Sequence, residues 1–286
     1  MKTVLHVLTS GTAYLEAHGI EQPRLACELL LSRLLRCKRL ELYLKYEEVL
    51  PENLLEAMRR GTKRVGAAEP VQYVLGQVGF MDHVFKVDRR ALIPRPETEV
   101  LVQHVLECEA LWKSEHPAIV DVGTGSGCIV LSLAMARPNG RYIALDTSED
   151  ALALARENAA ALGLADCVGF AHGELPDIVD PESLNAVVAN LPYIPTATYE
   201  RLPLNVREFE PRTALDGGPA GLSIIENVVH DAALALIPGG HLFLEIGDEQ
   251  GASVLSLLKE GGFEDALVKP DLNGRDRIAV GRTPAY

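Results

Sequence analysis

The sequence predicts an α/β protein, with a mostly parallel sheet covered by helices on both faces and a small all-helical domain ahead of it. Three observations carry this reading. From Pro117 onward, short apolar runs alternate with stretches of helical periodicity, as expected of strands buried on both faces. Through residue 75 the chain reads as helices. Between them, residues 76–95 have the glycines, Val and Phe residues of a β-hairpin linker. The expected organisation is therefore a helical domain over 1–75, a hairpin linker over 76–95 and an α/β domain over 96–286.

In the first domain Leu25, Leu29, Leu30, Leu34 and Leu35 recur at three- and four-residue spacing after Pro23, which suits a first helical turn. A second helix starts near Pro51 with Leu54, Leu55 and Met58 on one face, and Gly61, Gly66 and Pro70 read as punctuation after it. Val78, Phe80, Val84, Phe85 and Val87 among Gly76, Gly79 and Asp82 suggest the hairpin. Pro94-Arg95-Pro96 closes it, and helical periodicity resumes from Glu97 to Leu111. Beyond Pro117, strands are expected at 118–122, 142–145, 168–171, 186–189 and 242–246, with helices at 129–136 and 151–162. Gly239-Gly240 reads as a turn before the fifth strand, and Asn273-Gly274 as a two-residue hairpin turn joining the last two.

Composition narrows the function classes. The 286 residues are 48% hydrophobic and 23% charged, ordinary for a globular enzyme, and no run approaches the roughly 18 apolar residues of a membrane helix. His6 interrupts the N-terminal apolar stretch and no small-residue cleavage site follows, so no secretory signal is expected. Five cysteines at irregular spacing, without a Cys-x-x-Cys pair, suit a reducing cytoplasm, and the eight scattered histidines give no metal-ligand spacing; no metal is expected. The net charge of −13 is uneven: +2 through residue 75 and −15 beyond it. So acidic a larger domain is a poor counterion-releasing surface for duplex DNA.

The first chemical motif is Gly123-Thr124-Gly125-Ser126-Gly127, following Asp121 at a strand-to-helix junction. Glycines let a ligand approach the backbone, and a helix N-terminus presents free N–H groups. Asp146 follows nineteen residues after Gly127, at the end of the second strand, where a carboxylate can accept from both ribose hydroxyls of a nucleoside cofactor. A dinucleotide-binding dehydrogenase would need Gly-x-Gly-x-x-Gly; here the third glycine comes one residue early and Cys128 follows, so that fingerprint fails. The second motif, Asn190-Leu191-Pro192-Tyr193, ends the fourth strand at the carboxyl edge of the sheet. Two acceptors, the Asn190 side-chain oxygen and a backbone carbonyl at Leu191 or Pro192, can hold both hydrogens of a planar NH2 group, with Tyr193 packed on its face.

The glycine loop resembles the first motif of class I S-adenosylmethionine-dependent methyltransferases. The second motif resembles the Asn/Asp-Pro-Pro-Tyr/Phe segment of the members that methylate planar nitrogens. Further segments resemble the release-factor glutamine N5-methyltransferases: Pro70–Gly76, Phe80, Leu92–Glu99, Glu210-Pro211, Ala214-Leu215, Gly218, Gly221-Leu222, Leu244–Gly247 with Gln250, and Asp271–Arg277. The resemblance covers nearly all of the chain from about residue 70. It implies a Rossmann-like seven-stranded sheet, S-adenosylmethionine as cofactor, and methyl transfer to the glutamine of the Gly-Gly-Gln loop of release factors in translation termination. It also implies a helical domain that helps to hold the factor. The chain departs from the family twice: Leu191 stands where proline is usual, and Glu174 where an aromatic adenine contact is usual, so that contact falls to Glu174 or to Leu175. Two other readings remain at this point: an adenine-N6 methyltransferase acting on nucleic acid, and a cofactor-binding scaffold without turnover.

Overall fold

The computed structural model describes residues 2–271 and 273–285. Met1, Tyr286 and Leu272, the last within the matched segment 271–277, lie outside the described residues. The chain divides into two compact units. One runs through Gln77 and takes in Pro203–Phe209; the other comprises Val78–Leu202 and Glu210–Tyr286.

The first unit is built from α1 (Val4–Ala17), α2 (Pro23–Leu35), α3 (Glu52–Gly66) and the short α4 (Val71–Leu75). Thr3 caps α1 by accepting from the His6 N–H at 3.2 Å, and Pro23 occupies the first turn of α2, where its missing N–H costs nothing. Leu8, Leu15, Leu31, Leu55, Met58 and Val65 meet in its core. Gly61 does not end the second helix as expected; α3 runs through it and ends at Gly66. A Cβ at Gly61 would lie 3.0 Å from the Leu30 side chain, so this glycine lets α2 and α3 pack closely. Periodicity shows where a breaker sits but not what packs on it.

The second unit opens with the hairpin β1 (Gln77–Phe80) and β2 (His83–Lys86), whose Phe80 and Phe85 meet edge to face at 5.9 Å in a buried cluster. Then come α5 (Pro96–Glu107), β3 (Ala118–Val122), α6 (Cys128–Ala136), β4 (Arg141–Asp146), α7 (Glu149–Ala161), β5 (Val168–His172), α8 (Leu175–Ile178) and β6 (Leu184–Asn190). After α9 (Thr196–Tyr199) and α10 (Leu204–Arg207, within the segment grouped with the first unit), α11 (Ser223–Ala235) leads to β7 (Leu236–Glu245). The chain ends with α12 (Gly251–Glu260), β8 (Glu264–Pro270) and β9 (Asp276–Arg282).

Seven strands form one sheet in the order β5-β4-β3-β6-β7-β9-β8. The pairings β5 to β4, β4 to β3, β3 to β6 and β6 to β7 are parallel, while β9 runs antiparallel to both β7 and β8. The expected seven-stranded α/β architecture is thus present. Because β4 and β6 leave β3 on opposite sides, the sheet reverses direction there, and a crevice opens beyond the carboxyl ends of these strands.

Two local expectations are corrected. Gly239-Gly240 lies inside β7 rather than before it: the register to β6 jumps from Leu184↔Leu236 to Ala186↔His241, and Gly239 takes φ +77°, the mark of a bulge. The last two strands are not joined by a two-residue turn at Asn273-Gly274. Pairing resumes at Pro270↔Asp276, and the Asp271 carboxylate accepts from the N–H groups of Asn273 at 2.8 Å and Arg275 at 3.0 Å.

One buried side chain joins the hairpin to the glycine loop. Asn158 on α7 accepts from the Lys86 N–H at 2.7 Å and donates to the carbonyls of Lys86 at 3.1 Å and Ser126 at 2.8 Å. Removing it leaves three backbone groups without partners, each costing about 1–3 kcal/mol if buried. Asn158→Ala is therefore expected to lower the melting temperature by about 5–10 °C. A thermal melt unchanged within a degree would contradict this tie.

Candidate active site

The carboxyl ends of β3, β4, β5 and β6 surround a cavity of about 350 Å³, within the range of small-molecule and cofactor sites. Gly123, Thr124, Gly125 and Ser126 form one wall, Asp146 stands beside them, and Glu174 with Leu175 follows β5. Asn190, Leu191 and Pro192 complete the opposite side. Nearly all the residues singled out in the sequence meet at one cavity. Gly127 and Tyr193 do not line it. Gly127 lies where a Cβ would come 3.2 Å from Ala155, so its place is the packing of α6 against α7. The Tyr193 hydroxyl is turned to Glu245 at 3.3 Å.

The loop is held in shape by its own hydrogen bonds. Four of its N–H groups are taken up within the protein: Gly123 and Thr124 donate to the Leu145 carbonyl at 2.8 and 3.0 Å, Gly125 donates to Asp146 at 2.9 Å and Gly127 to the Thr124 carbonyl at 2.8 Å. A phosphate would need those donors. The loop suits instead a ligand that asks for close backbone approach and carbonyl oxygens, such as a cationic amino acid moiety. Asp121, buried beneath, accepts from the Thr124 hydroxyl at 2.7 Å and the Val130 N–H at 3.3 Å, which ties loop to helix; burial pushes its carboxyl up to about 7.

Asp146 accepts from Gly125 through one oxygen and from the Ser148 N–H, at 2.9 Å, through the other. A carboxylate has about four acceptor sites, so two remain for hydroxyl groups on the cavity side. Leu175 is buried and Glu174, at the head of α8, is exposed, so the apolar surface on this side comes from Leu175. Arg95 also reaches the cavity and is held by the buried Glu210, whose carboxylate accepts from its guanidinium at 2.5 Å and from the Ile93 N–H at 3.2 Å.

The segment 190–193 is fixed from several directions. Leu191 is 4% exposed, belongs to the core beneath the sheet, and points its side chain at Gly123. A leucine is thus accommodated here by apolar packing, and Pro192 after it already restricts its backbone to extended conformations. Gln250 donates to the Tyr193 carbonyl at 2.9 Å and the Gly221 carbonyl at 3.2 Å. The Pro192 carbonyl lies against Gly217, where a Cβ would come only 2.5 Å away. Asn190 pairs in register with Glu245 on β7, and its Nδ2 donates to the Thr98 hydroxyl at 3.0 Å. Thr98 in turn donates to the buried Glu245 at 2.7 Å. Burial pushes Glu245 up to about 7, against the Thr98 hydrogen bond and the Arg277 charge, which hold it down. Thr98 and Glu245 fall in segments singled out only by resemblance, and nothing local assigned them a place at the site. Their partnership is non-local, between residues 98, 190 and 245. Among the described residues no helix is long and apolar enough to cross a membrane, and no group of His, Cys, Asp or Glu is placed to hold a metal.

Comparison with known proteins adds to this geometry. Residues 6–76 match a family model described as the PrmC N-terminal domain, and residues 113–248 one described as a methyltransferase domain. The release factor glutamine methyltransferase of Geobacter sulfurreducens is 39% identical over 98% of this chain and 96% of its own length. That of Moorella thermoacetica is 43% identical over 96% of each. Among solved structures, a methyltransferase from Pyrococcus furiosus is similar with a TM-score of 0.50 at 14% identity, over 70% of this chain and 88% of that one, a likeness of fold.

Proposed function

Since the chain belongs to the release factor glutamine methyltransferase family, we propose that it transfers a methyl group from S-adenosylmethionine to the side-chain amide nitrogen of a release-factor glutamine, the one in the Gly-Gly-Gln loop. The single observation that carries the chemistry is the meeting of Asn190 and Leu191 with the 123–126 loop and Asp146 around one cavity. The cavity's lining supports this reading: the 123–126 loop would hold the methionine part, the acceptor sites left on Asp146 the ribose, and Leu175 the adenine. Bound there, S-adenosylmethionine supplies a methyl group on a positively charged sulfur, which becomes a neutral thioether as the C–S bond breaks and the N–C bond forms.

The protein's task is alignment. An amide nitrogen is a weak nucleophile because its lone pair is delocalised into the carbonyl. Asn190 Oδ1 accepts one of its hydrogens, and the Leu191 carbonyl accepts the other, since that of Pro192 is turned to Gly217. The lone pair is thereby aimed at the methyl carbon, and orientation of this kind is worth several powers of ten in rate. After transfer the nitrogen loses its extra proton to water, so no strong base is required. The helical residues 1–75 contribute to holding the release factor. The place of action is the cytoplasm, where release factors work.

Incubation with methyl-labelled cofactor and a release factor should place one methyl group on the glutamine of its Gly-Gly-Gln loop, read by peptide mass spectrometry. Label appearing only on nucleic acid would overturn the reading in favour of adenine, and that outcome has little support from a catalytic part carrying a charge of −15.

A further inference from the structure

We infer that Thr98 and Glu245 are positioning residues that set which end of the Asn190 amide faces the cavity. The inference rests on the function proposed above. An asparagine side chain is nearly symmetric in shape but opposite in polarity at its two ends. Turned one way it offers an acceptor to a substrate NH2 group; turned the other way it confronts that group with a second NH2. Something must hold it in the first orientation.

The wiring that does so starts at Glu245, 1% exposed at the end of β7. In its ionised form, which the Thr98 and Tyr193 hydrogen bonds and the Arg277 charge favour against burial, it has only acceptors, and two hydroxyls donate to it: Thr98 at 2.7 Å on one oxygen and Tyr193 at 3.3 Å on the other. Thr98, 2% exposed in the first turn of α5, has a single hydroxyl proton and spends it on Glu245. Its oxygen is then left only as an acceptor, and the group it accepts from is Asn190 Nδ2 at 3.0 Å. The polarity therefore runs one way, from Asn190 to Thr98 to Glu245, and Asn190 Oδ1 is the end that remains for the cavity. Tyr193 donates to the same carboxylate, so both ends of the 190–193 segment are referred to one buried group. This gives Tyr193 a task although it does not line the cavity.

Three substitutions separate polarity from packing. Thr98→Val keeps the shape and removes the hydroxyl; Thr98→Ser keeps the hydroxyl; Glu245→Gln keeps the shape and supplies a donor that can reverse the chain. Methyl transfer to a release factor is followed with the full-length protein, and cofactor affinity is measured separately by titration with S-adenosylhomocysteine. The expected result is a fall in kcat of about 10²-fold for Thr98→Val and for Glu245→Gln, with Thr98→Ser within a few-fold of the unsubstituted protein and cofactor Kd little changed throughout. A Thr98→Val enzyme as fast as Thr98→Ser would overturn the inference, as would equal losses in kcat and cofactor binding.

A second readout is independent of turnover. Exchange of the Asn190 side-chain amide protons with solvent, followed by NMR on isotope-labelled protein, should be at least tenfold slower in the unsubstituted protein than in Thr98→Val. Equal exchange would sink the inference even where methyl transfer is robust. Slow exchange in a protein that methylates no release factor would uphold the wiring and overturn the substrate instead.

Discussion

Replacing Asn190 with alanine is expected to lower kcat for methyl transfer by about 10³-fold while leaving the cofactor dissociation constant within a few-fold of its original value. The side chain stands at the end of β6, in register with Glu245, and its amide nitrogen is committed to Thr98. What alanine removes from the cavity is therefore one acceptor oxygen. On the proposed reading that oxygen does little for the cofactor, held chiefly by the glycine loop and Asp146, and is one of two acceptors that turn the amide plane so that the nitrogen lone pair meets the methyl carbon. With one acceptor left, the substrate NH2 can rotate about the remaining hydrogen bond, and the aligned fraction of encounters falls. Single-turnover methylation of a release factor, together with calorimetric titration of S-adenosylhomocysteine, reads both quantities. A loss of cofactor affinity as large as the loss of rate would show that Asn190 serves binding and not orientation.

The parts of this site legible in the sequence are those whose chemistry is local. A glycine loop leaving an apolar strand, an acid at the end of the next strand, and an Asn-x-Pro-Tyr segment after a third can be read as a cofactor and amide site, because parallel strands bring their carboxyl ends to one edge. Strands 118–122 and 142–145 are legible to within a residue for the same reason: their buried apolar runs stand out from the residues that flank them. What was not legible depends on contacts between distant segments. Gly61 reads as a breaker until Leu30 is seen against it. Gly239-Gly240 reads as a turn until the β6 register shows a bulge. That the N–H groups of Gly123 and Thr124 are taken up cannot be read locally, because their acceptor, the Leu145 carbonyl, lies on β4 and not in the loop. Thr98 and Glu245 look like a first-turn threonine and a strand glutamate, and only the fold makes them partners.

The same locality argument gives Asp146 a double task and a separable prediction. Its carboxylate organises the loop by accepting from Gly125 and Ser148, and on the proposed reading its remaining acceptor sites serve the ribose in the cavity that Asp146 lines. Asp146→Ala removes both contributions, and two hydrogen bonds to a charged acceptor are worth about 1.5–3 kcal/mol each. The dissociation constant for S-adenosylhomocysteine is thus expected to rise by about 10²-fold or more. A weakened loop alone could also raise it, so the decisive comparison uses a ligand lacking one ribose hydroxyl. If the carboxylate contacts the ribose, the unsubstituted protein loses affinity for the deoxy ligand by about tenfold, whereas Asp146→Ala scarcely distinguishes the two, because the contact is already gone. If both proteins discriminate equally, the hydroxyl is held elsewhere. Asp146 would then be a loop scaffold, and the ribose partner would have to be sought among the other groups lining the cavity between Thr147 and Leu175.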